Sequence, residues 1–104
     1  MSILFLTEYA RYARTLDGYY TLAPEEPPLA EQTIAIGAGS LQSAALNPST
    51  RVVRISADVV SSIAVGANPT ATATNRRIAA NQGPEFIGIP NTGGPYKIAV
   101  IANT

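Results

Sequence analysis

The sequence predicts an all-β fold, and three observations carry that expectation. Arg51-Val52-Val53-Arg54-Ile55 packs three β-branched residues into one short run, the composition of a half-buried strand. Further short apolar runs recur at about 8–12-residue spacing, separated by Asn-Pro, Gly and Pro turn signals. Helix periodicity is weak: residues 57–65 contain Ala, but Val59, Val60, Ile63 and Val65 favour a strand.

The elements follow in order. Composition divides near residue 30. Residues 1–30 hold Phe5, Tyr9, Tyr12, Tyr19 and Tyr20, five of the seven aromatics, and four of the seven acidic residues. They close on Pro24-Glu25-Glu26-Pro27-Pro28, which suits neither a helix interior nor a central strand. This stretch reads as an N-terminal arm and Pro-rich linker. Thr7 could cap a helix over Glu8–Leu16, with Tyr9, Tyr12, Ala13 and Leu16 on one side. An extended arm is the alternative. Residues 31–104 read as the folded domain. Ile34 and Ile36 share one face of a strand over 32–36. Gly37-Ala38-Gly39-Ser40 turns, and Leu41 to Leu46 returns. Asn47-Pro48-Ser49 turns into the strand over 51–55. Strands follow over 61–65, 70–74, 86–89 and 96–101, with a turn at Pro90-Asn91-Thr92-Gly93-Gly94-Pro95 before the last. No fixed-period repeat is present.

Composition bounds the function. The chain has 104 residues, one domain's worth, of which 13% are charged, well below the usual quarter. Seven basic residues balance seven acidic ones. A basic excess, the ordinary footprint of a nucleic-acid protein, is therefore lacking. With no Cys and no His, zinc-finger spacing, disulfide frameworks, imidazole metal sites and Ser-His triads are excluded. No cofactor is expected. The apolar start stops at Leu6 and is followed by Glu8, Arg11 and Arg14, which is too short for a secretory h-region. No run is long enough to span a bilayer. A cytosolically made chain without a membrane partner is the expectation.

Each chemical constellation has a plainer reading beside it. Thr70, Thr72 and Thr74 would share one strand face, a ladder too short for an ice-binding array. Arg51 and Arg54 have opposite parity and point to opposite faces, while Arg76 and Arg77 flank a turn. Asp58 and Glu85 are expected as local partners for these cations. Glu8, Asp17, Glu25, Glu26, Glu31, Asp58 and Glu85 include no spacing that singles out a catalytic pair. Gly37-Ala38-Gly39-Ser40 and Gly93-Gly94 are turn chemistry and not a phosphate loop. The sole lysine, Lys97, would solvate the outward face of the last strand. No catalytic, metal or cofactor residue is expected.

The second half resembles a known group. Thr50-Arg51-Val52-Val53-Arg54-Ile55 precedes Ser62-Ile63-Ala64-Val65-Gly66-Ala67-Asn68-Pro69-Thr70-Ala71-Thr72-Ala73-Thr74. Glu85-Phe86-Ile87-Gly88-Ile89-Pro90 and Tyr96-Lys97-Ile98-Ala99-Val100-Ile101 follow. This order resembles small proteins encoded in tailed-bacteriophage structural gene clusters. The resemblance covers roughly residues 31–104. It implies an all-β virion protein such as a capsid decoration (cement) protein, assembled in the bacterial host cytoplasm. It also implies a major capsid protein or other virion protein as partner, and a homo-oligomer, with a trimer favoured.

The expectation is then a small β-sandwich of jelly-roll or Ig-like type over 31–104, with an extended arm over 1–30. The function would be non-enzymatic: binding and reinforcing an assembled capsid. Phe5, Tyr9, Arg11, Tyr12, Arg14, Tyr19 and Tyr20 are the expected interface, since Tyr and Arg are enriched at protein contacts. The other course for the arm is to fold back and cover the domain's own core. A neck, tail or fibre-base protein is the alternative function, and a carbohydrate-binding module follows behind it.

Overall fold

The computed structural model describes residues 2–81, 84–90, 92 and 94–103, without the side chains of Tyr20 and Leu22. Among the described residues the chain forms ten strands and no helix. They are β1 (Ile3–Tyr9), β2 (Tyr12–Arg14), β3 (Tyr20–Pro24), β4 (Ala30–Ala35), β5 (Leu41–Gln42), β6 (Val52–Ala57), β7 (Ser61–Gly66), β8 (Arg76–Ile78), β9 (Glu85–Gly88) and β10 (Lys97–Ala102). All named strand pairs are antiparallel.

The strands form two four-stranded sheets, in the orders β4-β1-β6-β9 and β5-β10-β7-β8, and a separate two-stranded β2-β3 ribbon. From β4 onward the chain alternates between the large sheets, staying in the second only for the β7–β8 step. Period-two patterning explains which residues turn inward. Along β1, Leu4, Leu6 and Glu8 are buried while Phe5 is 47% exposed. Along β6, Val53, Ile55 and Ala57 are buried and Arg54 is exposed. Leu4, Leu6, Ile34, Val53 and Ile55 of the first sheet meet Ile63, Ile78, Ile98 and Val100 of the second in one apolar cluster.

The expected arm divides into two parts with different fates. Residues 3–9 are not an arm at all. β1 lies between β4 and β6, with Leu6 opposite both Gln32 and Ile55. Self-cover is what these residues do, and as an internal strand rather than an edge. The helix alternative over Glu8–Leu16 is also replaced, because β1 runs through Tyr9 and β2 takes up Tyr12–Arg14. The start of β1 and the end of β10 meet the same short stretch after β4: the Ile36 N–H donates to the Ser2 carbonyl, and the Ala102 N–H donates to the Gly37 carbonyl. Only residues 11–25 project, as the β2-β3 ribbon.

Two later expectations change. The return over 41–46 forms a strand only at Leu41–Gln42. The strand over 70–74 is absent. Asn75 Oδ1 instead accepts from the Thr72 N–H at 2.6 Å, and the Asn75 N–H donates to the Thr72 carbonyl at 3.0 Å. Side-chain acceptors of this kind compete with a sheet ladder. The turn over 90–95 includes Asn91 and Gly93, which lie outside the described residues. The strands expected over 61–65, 86–89 and 96–101 appear within a residue or two of those bounds, as β7, β9 and β10.

Candidate functional site

The projecting ribbon owes its shape to its turn. The Thr15 N–H donates to the Tyr19 carbonyl at 2.7 Å, and the Gly18 N–H donates to the Thr15 carbonyl at 3.0 Å. Gly18 takes φ 88°, a left-handed conformation that glycine adopts without Cβ strain. A four-residue turn closed by such a glycine is a standard three-residue hairpin loop. At its tip Leu16 is fully exposed and Tyr19 is 73% exposed. Asp17, between Leu16 and Gly18, is exposed and has no partner among the described residues.

The expected interface residues separate. Arg11, Tyr12, Arg14 and Tyr19 lie on or beside the hairpin, and Tyr20 does so by its backbone, its side chain lying outside the described residues. Phe5 lies elsewhere, on the outer face of the first sheet. There, Glu31, Thr7, Arg54 and Phe86 stand side by side across four strands, with Phe5 one step along between Thr33 and Ser56. Tyr9 is buried. Its hydroxyl donates to Glu26 Oε2 at 2.8 Å and fastens the chain leaving the hairpin onto the body. Arg11 Nε pairs with Glu25 Oε1 at 3.0 Å across the ribbon's base, an exposed contact that contributes little to stability.

Sequence reasoning missed three features here. The first is Leu16, the most exposed large apolar residue among those described. Asp17-Gly18 between Tyr-rich segments was the available hairpin signal. The second is Glu8, only 2% exposed at the inner end of β1. Its Oε1 accepts from the Asn47 N–H at 2.7 Å and the Thr50 hydroxyl at 2.8 Å, and Oε2 accepts from Gln32 Nε2 at 3.4 Å. Nothing in the linear pattern distinguishes this buried carboxylate from the exposed ones.

The third is a hollow of about 460 Å³ at the same end of the body. Leu46, Pro48, Ile89, Pro95 and Tyr96 supply apolar walls, and Thr50 and Arg51 supply polar edges. Glu8 holds Asn47 and Thr50, which form one side. Tyr96 holds the other, its hydroxyl donating to the Thr92 carbonyl at 2.6 Å. The hollow adjoins the hairpin root, because the Arg51 N–H donates to the carbonyl of Tyr9, the last residue of β1. Arg51 Nη1 donates to the Pro48 and Thr50 carbonyls at 3.0 and 2.8 Å, and no carboxylate pairs with it among the described residues.

The other carboxylates serve separate local contacts. Asp58 Oδ1 accepts from the Ile3 N–H at 2.8 Å. Glu85 pairs with Arg76 at 2.8 Å, as local pairing anticipates. Among the described residues no three acidic, His or Cys side chains gather where they could hold a metal. No described helix is long and apolar enough to cross a membrane. No family model matches the chain, and neither a curated protein nor a solved structure is similar to it.

Glu8→Ala should strand the Asn47 N–H and the Thr50 hydroxyl in the interior. The expected loss is about 2–4 kcal/mol in urea unfolding; a loss within about 0.5 kcal/mol would make this carboxylate dispensable. Burial, then the hydrogen bond and charge of Glu26, raise the Tyr9 pKa above its ordinary 10.0. The folded state therefore keeps this proton after the unfolded chain has lost it. The resulting stability is fully present below pH 10 and falls as pH rises through the folded pKa. Tyr9→Phe should flatten that part of the stability-against-pH profile, and an unchanged slope would assign it to another group.

Proposed function

We propose that this chain is a non-enzymatic structural protein of a tailed-phage virion that binds the assembled capsid and reinforces it. The observation that carries the reading is the hairpin over residues 12–24. It presents Leu16 and Tyr19 to solvent, and none of its described side chains belongs to the two-sheet core. Large exposed apolar side chains grouped on a projection suit a contact with another chain. The resemblance of its motif order to that of phage structural proteins suggests the setting.

The winding supports the same reading. We read the two large sheets as a β-sandwich of jelly-roll type, a fold used in viral shells and also in lectins and cupins. In a jelly roll the last strand lies between the first and third strands of its sheet. Counting from β4, the orders β4-β1-β6-β9 and β5-β10-β7-β8 follow that winding. The slot between first and third strands is filled by β1, which comes first in sequence rather than last. The arm of the proposal is then the hairpin alone.

The mechanism is mechanical. A protein that binds only the assembled shell stabilises it by mass action. The hairpin supplies an apolar contact with few internal ties to the body. The outer face, with Phe5, Arg54 and Phe86, supplies a second surface on rigid strands.

Replacing residues 12–24 with a short turn tests the reading, using co-sedimentation with mature heads that lack the protein. The intact chain should bind saturably at many copies per head, and the shortened one should lose most of that binding while unfolding at a nearly unchanged midpoint. Saturation at a handful of copies would assign the chain to the neck, tail or fibre base. No binding of the intact chain to any part of the particle would overturn the proposal.

A further inference from the structure

The hairpin tip and the hollow are matched in chemistry and unmatched within one chain. Leu16 touches nothing that covers it, since it is fully exposed. The hollow beside the hairpin root, about 460 Å³, falls within the roughly 300–1,000 Å³ of built ligand sites and is walled mostly by apolar side chains. Among the described residues Asp17 carries a negative charge with no partner, and Arg51 carries a positive charge at the rim of the hollow with no carboxylate paired to it. The hairpin does not fold onto its own hollow.

We propose that the hairpin tip of one copy seats in the hollow of a second copy, Leu16 against its apolar walls and Asp17 on the Arg51 guanidinium. The hollow is built to receive it. Glu8 fixes one wall through Asn47 and Thr50, and the Pro48 and Thr50 carbonyls hold the Arg51 Nη1, so little conformational freedom is lost on binding. Leu16 supplies the apolar burial, and the Asp17–Arg51 pair sets register and excludes other partners.

Reach is sufficient. Leu16 lies five positions beyond Arg11, about 17 Å of extended chain at about 3.3 Å per residue. The tip therefore stands well clear of its own root. Knob and hole lie at the same end of the molecule, so two copies can engage reciprocally, each tip beside the other's root. A closed contact of this kind leaves no open chain of subunits, and each copy's outer face, with Phe5, Arg54 and Phe86, stays open to a shell.

This deepens the assembly reading above by naming a partner for the hairpin, but it needs no shell. Sedimentation of the purified chain alone is the test. The natural chain should associate. Asp17→Arg and Arg51→Glu should each weaken association by about tenfold or more, and the double variant, with both charges exchanged, should recover to within a few-fold. Leu16→Glu should weaken it similarly. Leu16 is fully exposed and Asp17 has no partner among the described residues, so Leu16→Glu and Asp17→Arg leave the fold intact, which circular dichroism verifies. A natural chain that stays monomeric, single variants that associate normally, or a double variant no better than the singles would each overturn the contact. Loss of self-association with head binding intact would leave the shell proposal standing. Intact self-association without head binding would do the reverse.

Discussion

The rest of this structure depends on β1 being paired along both edges. Ile3–Tyr9 bonds to β4 on one side and β6 on the other. Without it the first sheet would fall into a lone β4 and a β6–β9 pair. Its inward side chains, Leu4 and Leu6, sit at the centre of the shared core. Full burial of each is worth about 1.5–3 kcal/mol. At the end of the same face Glu8 fastens the crossing over 46–51 that leads into β6. A chain with no cysteine has no disulfide to stand in for these contacts.

That arrangement explains why part of the fold was legible in the sequence and part was not. Val52, Val53 and Ile55 announce β6 because branched side chains crowd a helix and suit a pleat. Ile34 and Ile36 share a face and are both buried. β1 was harder to read. Its inward set is Leu4, Leu6 and Glu8, and a carboxylate in that series hides the alternation. The Tyr9, Tyr12, Leu16 spacing meanwhile imitates a helical stripe. Burial of Glu8 is possible only because Asn47, Thr50 and Gln32 arrive from distant parts of the chain, and no local window contains them. Residues 70–74 failed in the opposite direction. Their alternation and β propensity are good, but Asn75 takes the Thr72 N–H and bends the chain.

The same contrast holds for the candidate site. Aromatic residues and arginines in the first twenty positions pointed to a contact region, and several do project on the hairpin. Composition alone could not separate Tyr9, buried against Glu26, from Tyr19, open to solvent. Nor could it show that Leu16 and Asp17 form the tip, or that Arg51 lines a hollow at the same end. Those facts come from strand pairing. Once β1 is internal, its far end carries both the hairpin and the start of β6. Body and projection are thereby divided: the body holds the core, and the hairpin tip holds the two most exposed large apolar side chains among the described residues, Leu16 and Tyr19.

Amide hydrogen exchange tests that division most directly. The account predicts that amides of residues 3–9 exchange as slowly as those of β6 and β10, through global unfolding, while those of 12–24 exchange through cheap local opening. Rapid exchange over residues 3–9, with slow exchange retained in β6 and β10, would contradict it. The first strand would then be a detachable arm, and the core would stand without it.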